Sequence, residues 1–248
     1  MGAVEGLRAA LSFLTVLPVG SGNIDEMARH AYFFPLVGAL IGVISGGLGF
    51  LLFHVLPSLL AGLLTLLVLL LITGLYHLDG VLDLGDALMF RGDREERLEI
   101  LHDKNHGIGG LTALYFSLTI TVATIALIGE RILPALIMAE SYGKLSMVIG
   151  GFLGRPHTKG IGSRFISKMR EGGSKILVLG IAISAMVNLA LGLPVLMALV
   201  LFFVSLFSIV WTRCLISIFG CITGDMLGCM NEISRLISLF LFLICGVR

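Results

Sequence analysis

One apolar run after another reaches membrane-spanning length in this chain, and nothing else in the sequence limits its fold so strongly. Residues 32–56 and 58–78 contain no Asp, Glu, Lys or Arg. A helix needs roughly 20 apolar residues to cross the hydrocarbon core of a bilayer. Further apolar runs cover 109–129, 131–153, 176–191 and 194–218, and a last one covers 236–247. Within a bilayer, helices satisfy their own backbone polar groups, so runs of this length predict helices. Charged residues make up 13% of the 248 residues, and mean hydropathy is +1.03. A soluble domain carries about 25% charge. The expected fold is therefore all-α: a polytopic integral membrane bundle of about six to eight helices, with residues 1–248 forming a single membrane-embedded domain.

The segments between the spans refine this picture. Residues 3–17 are apolar but short, which suits an interfacial or partly inserted helix. No small-residue cleavage site follows them, so no signal peptide is expected. Gly38, Gly42, Gly46 and Gly47 would let the 32–56 span approach a neighbour closely. Pro57 marks a turn. Residues 87–108 are the most polar stretch and suggest a short amphipathic helix, 154–175 read as a basic loop, and 220–234 read as a polar break. The four cysteines form no CxxC pair and read as ordinary buried thiols. A net charge of +1 with no basic tail argues against a nucleic-acid partner.

If the spans alternate in direction, segments 20–31, 79–108, 154–175 and 219–235 share one membrane face. That face collects thirteen of the 17 Lys and Arg, counting Arg213 and Arg235. The opposite face has little beyond Arg131 and Arg248. The positive-inside rule makes the rich face cytoplasmic.

The same face carries the acidic residues. In His77-Leu-Asp79-Gly-Val-Leu-Asp83-Leu-Gly-Asp86, three carboxylates stand at i, i+4 and i+7, one face of a helix. Crowded carboxylates repel unless a cation sits among them, and Mg²⁺ prefers carboxylate oxygens. Asp79, Asp83 and Asp86 are therefore expected to hold Mg²⁺, with Gly80 and Gly85 leaving room for a bulky phosphate ligand. In Thr223-Gly-Asp225-Met-Leu-Gly228-Cys-Met-Asn-Glu232, Asp225 and Glu232 share a second helical face, a plausible second acidic half-site, and Thr223 is placed to cap that helix. Asp103 shares the same rim, and the glycines of Gly107-Ile-Gly109-Gly110 would let backbone N–H groups approach an anion at a helix start. Glu140 and Lys144, at i and i+4 inside a span, read equally as a structural ion pair or as functional. In the basic loop, Arg155, Lys159 and Arg164 are best placed to meet phosphates, while Lys168, Arg170 and Lys175 suit anionic lipid. His102 and His106 are possible acid–base groups, although a histidine in a polar loop is more often solvated. A divalent-metal cluster, basic groups and glycine turns on one rim describe an enzyme that handles a pyrophosphate.

These residues also carry a resemblance. His77-Leu-Asp79-Gly80-x-x-Asp83-x-x-Asp86, then Arg97-Leu-Glu-Ile-Leu-x-Asp103-x-x-x-Gly107-x-x-Gly110, resembles the cobalamin (5′-phosphate) synthase family of adenosylcobinamide-GDP ribazoletransferases. Thr223-Gly224-Asp225-x-x-Gly228-x-x-x-Glu232 is similar to that family's C-terminal motif. So are Phe13-Leu-Thr15-x-Leu-Pro18-Val19 and Tyr32-Phe-Phe-Pro35-Leu-Val-Gly38-x-x-x-Gly42. The resemblance implies transfer of α-ribazole, or its 5′-phosphate, onto adenosylcobinamide-GDP with release of GMP, in the cytoplasmic membrane of a prokaryote. It implies Mg²⁺ on Asp79, Asp83, Asp86, Asp225 and Glu232. It places Arg97, Asp103, Gly107, Gly110, Lys144, Arg155 and Lys159 around the substrates, with Lys144 contributing a basic charge. Asp83, Asp86 and His77 are the candidate catalytic groups, and the sequence leaves open which carboxylate or imidazole takes the hydroxyl proton.

Rival readings fit less well. A CDP-alcohol phosphatidyltransferase would need D-G-x-x-A-R, and Asp79-Gly80-Val-Leu-Asp83 lacks the Ala-Arg. An aspartate-rich prenyltransferase would need DDxxD-like spacing, which is absent. A cation transporter would want charges near the midplane, where Glu140 stands alone among the carboxylates.

Overall fold

The structure, a computed structural model, describes residues 2–20, 22–158, 160–192 and 194–246. Among them the chain forms twelve α-helices: α1 (Ala3–Leu14), α2 (Ile24–Arg29), α3 (Phe34–Val55), α4 (Ser58–Thr73), α5 (Tyr76–Met89), α6 (Arg94–Leu101), α7 (Ile108–Ile128), α8 (Ile132–Leu153), α9 (Ile161–Glu171), α10 (Ser174–Leu189), α11 (Pro194–Phe219) and α12 (Gly224–Cys245). The all-α membrane architecture expected from the sequence is present. Four helical stretches are long and apolar enough to cross a bilayer, or six if each of two sharply bent pairs counts as one span. The total exceeds six to eight because short helices at the surface (α1, α2, α6, α9) and the broken spans add to it.

Helix α8 is the axis of the bundle, buried over most of its length. Its closest neighbour is α3, and the sequence explains why. On α3, Gly38 faces the Glu140 backbone, Gly42 faces Leu136 and Ile137, and Gly46 faces Leu133, so tightly that a Cβ at Gly38 or Gly42 would collide with α8 backbone. Helices in lipid associate through such small-residue faces because lipid tails are as apolar as leucine. α12 packs on the other side of α8. Leucine, valine and phenylalanine side chains on α3, α4, α7 and α11 remain exposed, as lipid-facing surfaces must.

The 154–175 stretch, read as a basic loop, holds the helix α9, and two of the four cysteines read as buried, Cys214 and Cys245, are exposed. Two further departures position the site. First, the 58–78 run does not carry straight into the aspartates. α4 ends at Thr73, and α5 leaves at 96° to it. Gly74 and Leu75 make the corner in consecutive left-handed conformations, φ 71° and 66°. Leu75 is the only described non-glycine residue with positive φ. A leucine held there is strained by roughly 1–2 kcal/mol, so the corner is enforced by its surroundings. Second, 220–234 is not a polar break. Thr223 caps α12 by accepting from the Met226 N–H, as its sequence position suggested, and one helix then runs from Gly224 to Cys245. The polar residues of its first half lie inside the bundle.

Candidate active site

The 96° corner swings α5 across one end of the bundle, between α12 and α7. Gly80 sits against the Asp225 backbone, which locks the start of α5 onto the start of α12. Gly85 packs against Gly110 and Ala113 of α7. Both glycines were expected to leave room for a ligand. Helix contacts fill both sites instead, so the room lies elsewhere. It is a cavity of about 640 Å³ beside α5, walled by Phe13, Tyr76, His77, Asp79, His102, Met147, His157, the start of α9 at Gly160–Ser163 and Thr223-Gly224-Asp225.

Two helix starts meet at the cavity. A Cβ on Gly162 would strike the Gly224 nitrogen, so the first turn of α9 and the N-terminus of α12 meet at backbone contact. The approach is held by the Pro156–Ile222 bridge, with the Ile222 N–H donating to the Arg155 carbonyl at 2.7 Å. Helix N-termini present unpaired N–H groups and a partial positive charge, an arrangement that favours anions.

The cavity is also acidic. Asp79 is exposed on the cavity and Asp225 lines it, while Asp83 is half-buried within electrostatic reach of both. Among the described residues no Lys or Arg pairs with any of the three. The basic group closest to them is His106, whose Nδ1 lies 3.8 Å from Asp83. The donor set is all oxygen and uncompensated, which fits a hard divalent cation. Among the described residues no three His, Cys, Asp or Glu side chains form a ready-made cage. Mg²⁺ does not need one, because it is commonly held by one or two carboxylates with substrate phosphates completing its shell.

Asp86, the third aspartate of the run, faces a different partner. Its Oδ2 accepts from the Gly107 N–H at 2.6 Å and its Oδ1 from the Gly110 N–H at 2.8 Å. A Cβ at either glycine would collide with this carboxylate. The sequence reading asked for an anion at the start of α7, and the structure supplies one from within the protein.

Behind the cavity lies a buried polar network. His77 is on the cavity wall, and its Nδ1 lies within hydrogen-bond distance of Asn231 Nδ2, at 3.2 Å. Asn231 Oδ1 accepts from Lys144 Nζ at 2.8 Å, and Asn231 Nδ2 also donates to Glu232 Oε1 at 3.1 Å. Lys144 donates to Glu140 at 3.2 Å. Arg235 bridges Glu140 through Nε and Glu232 through both Nη groups. Glu140, Lys144 and Arg235 are at most 1% exposed and Glu232 is 4% exposed, so four formal charges sum to zero inside the bundle. Glu232 therefore faces this interior network, whereas Asp225 faces the cavity. Arg235, counted above with the basic rim, belongs to the core.

The family model for cobalamin-5-phosphate synthase matches residues 6–243. The chain belongs to that family. Curated relatives named adenosylcobinamide-GDP ribazoletransferase include one from Methanocella arvoryzae, 33% identical over 252 residues and covering 95% of this chain and 94% of that protein. Another, from Thermococcus kodakarensis, is 34% identical over 232 residues, 92% of this chain and 94% of its own. No solved structure matches the chain significantly.

The residues this family's pattern placed around substrates fall into distinct settings. Arg97 donates to the Gly92, Ala87 and Leu88 carbonyls, closing the C-terminus of α5. Asp103 turns its own loop, accepting from the Asn105 backbone and side chain at 3.0 Å. Gly107 and Gly110 receive Asp86, and Lys144 anchors the buried network. Arg155 is exposed beside the cavity wall, and Lys159 lies outside the described residues. Arg164, expected to meet phosphate, forms a bidentate pair with Asp25 at 2.7 and 3.0 Å, and that bond holds the Asp25 carboxyl below its ordinary value. Sequence reasoning gave no role to His157, Ser163 or Tyr76, and it left His102 as merely possible. Their offsets carry no pattern, because the chain brings them together only through the α9 loop and the α4–α5 corner.

Proposed function

We propose that the chain is a multi-pass membrane transferase that joins adenosylcobinamide-GDP to α-ribazole or its 5′-phosphate, giving adenosylcobalamin or its 5′-phosphate and GMP. One observation carries the reading: Asp79 of α5 and Asp225 in the first turn of α12, neither paired with a Lys or Arg among the described residues, line one cavity together with the N-termini of α9 and α12, in a chain of this family. A ribose hydroxyl oxygen attacks the cobinamide-side phosphorus of the pyrophosphate. The new P–O bond forms as the bond to the bridging oxygen breaks, and GMP leaves with that oxygen. The hydroxyl proton passes to a carboxylate at the cavity mouth and then to water. Asp79, Asp83 and Asp225 would hold Mg²⁺. When bound, the ion neutralises the phosphate oxygens and the leaving GMP. The starts of α9 and α12 orient the phosphates.

The cavity faces the cytoplasm in this proposal. With Arg235 removed to the core, twelve of the 17 Lys and Arg still fall in or near the sequence segments assigned to the cytoplasmic face. A cysteine at exposed Glu95 should resist a membrane-impermeant thiol reagent added to intact cells and react after lysis. Reaction in intact cells would reverse the topology.

The assay of function uses membranes carrying the chain, adenosylcobinamide-GDP, α-ribazole and Mg²⁺. GMP and the joined product should form in equal amounts, and chelation should stop both. Product formation undiminished by chelation would remove the metal from the site, and no product under any condition would remove the proposed reaction.

A further inference from the structure

We infer that Asn231, held by Lys144, fixes His77 in the tautomer that presents an N–H to the cavity, so that His77 is a hydrogen-bond donor to the bound anion and not a general base. Lys144 fixes the orientation of the Asn231 amide. Its ammonium has three donors and no acceptor, so the Asn231 atom 2.8 Å away is the carbonyl oxygen. The other end of the amide faces Glu232 Oε1 at 3.1 Å, and a carboxylate oxygen facing it there calls for a donor. Two independent neighbours therefore settle the orientation of the amide, and its NH₂ points at His77 Nδ1, 3.2 Å away. A donor facing Nδ1 requires that nitrogen to be a bare acceptor. Glu232 Oε1, 3.9 Å from Nδ1, is too far to compete for a proton there. The neutral ring then carries its hydrogen on Nε2. No described residue accepts from Nε2, and the ring forms part of the cavity wall, so this N–H is the one available to a ligand.

The consequence for the reaction rests on the proposed function. An N–H donor beside Asp79 and Asp225 meets a phosphate oxygen, while an imidazole with Nε2 already protonated cannot remove a proton from the attacking hydroxyl. Asn231 and Lys144 act through His77 and are positioning residues.

Two measurements test this, and the first does not depend on the reaction. Nitrogen NMR of the histidine-labelled protein in detergent at neutral pH should show Nε2 of His77 protonated and Nδ1 bare. In Asn231→Asp, whose carboxylate accepts and cannot donate, the pattern should invert. A wild-type ring protonated on Nδ1 overturns the assignment whatever the enzyme does. The second measurement is the transfer rate. A glutamine amide reaches the Nε2 position and donates, but it cannot act as a base near neutral pH. His77→Gln should keep the rate within a few-fold of wild type. His77→Ala and His77→Asn should fall by about ten- to a hundredfold, as expected for the loss of one hydrogen bond to a charged group. A rate for His77→Gln as low as that of His77→Ala overturns the donor role. Absence of transfer in the wild type, with the expected NMR tautomer, counts against the proposed function alone.

Discussion

Asp83→Asn is expected to lower the transfer rate at saturating substrate by at least about a hundredfold, and to raise the Mg²⁺ concentration needed for half-maximal rate. The substitution keeps size and shape and removes one negative charge. Loss of a group that stabilises transition-state charge commonly costs several kcal/mol, well over a factor of a hundred. Asp83 is half-buried, close to Asp79 and Asp225, and no Lys or Arg among the described residues offsets it. Neutralising it relieves repulsion within the cluster, so stability should hold or rise slightly. Asp79→Asn should behave alike.

Asp86→Asn separates this reading from a generic loss of acidity on α5. Both Asp86 oxygens accept backbone N–H groups at the start of α7. An asparagine can accept one of them, and its NH₂ then faces the second donor. That change should lower stability by about 1–3 kcal/mol through a donor left unsatisfied. The metal dependence of the rate should stay near wild type. The comparison needs an unfolding curve in detergent and a Mg²⁺ titration for each variant. Unchanged metal dependence in Asp83→Asn, or a shift in Asp86→Asn as large as in its neighbours, would undo the division of roles along α5.

What the sequence revealed and what it hid follow from the range of the forces involved. Span positions, the glycine face of α3 and the Thr223 cap are set by neighbours one or two turns away, so they can be read from offsets. The i, i+4, i+7 spacing placed Asp79, Asp83 and Asp86 on one face of α5. It could not show that this face runs from the cavity at Asp79 to the α7 N-terminus at Asp86, because that depends on which helices flank α5. The glycines illustrate the same ambiguity. Gly80, Gly85, Gly107 and Gly110 all mark close approaches, as glycines in motifs do, yet what approaches is protein in every case. His157 and Ser163 join the cavity through a loop clamped by one backbone hydrogen bond from Ile222, 67 residues from Arg155 in sequence, and no periodicity reports such a contact. The Glu140–Lys144 offset revealed one ion pair, while Glu232 sat in what looked like a polar break and Arg235 at its edge, so the larger network stayed hidden.

That network gives the second large expected effect. Glu140→Gln leaves one net positive charge in the core, and Lys144→Met leaves one net negative charge. Removing one partner of a buried pair costs about 3–5 kcal/mol, chiefly because the remaining charge is unpaired in a medium that cannot solvate it. Each single change should therefore lower unfolding stability in detergent by an amount in that range. The double variant restores neutrality. Arg235 then pairs with Glu232 alone, through two Nη groups already in place, and the Asn231 carbonyl loses its lysine donor. Its loss should be well below the sum of the two single losses. A coupling of about 2 kcal/mol or more is expected, at the upper end of what contacting residues show. Strict additivity of the two losses would mean that the Glu140–Lys144 contact contributes nothing as a pair. Arg235→Leu should be worse than either single change, because it strips both carboxylates of their guanidinium at once. If Arg235→Leu proves milder than Lys144→Met, the guanidinium is not the centre of the network, and Lys144 must then carry both acids.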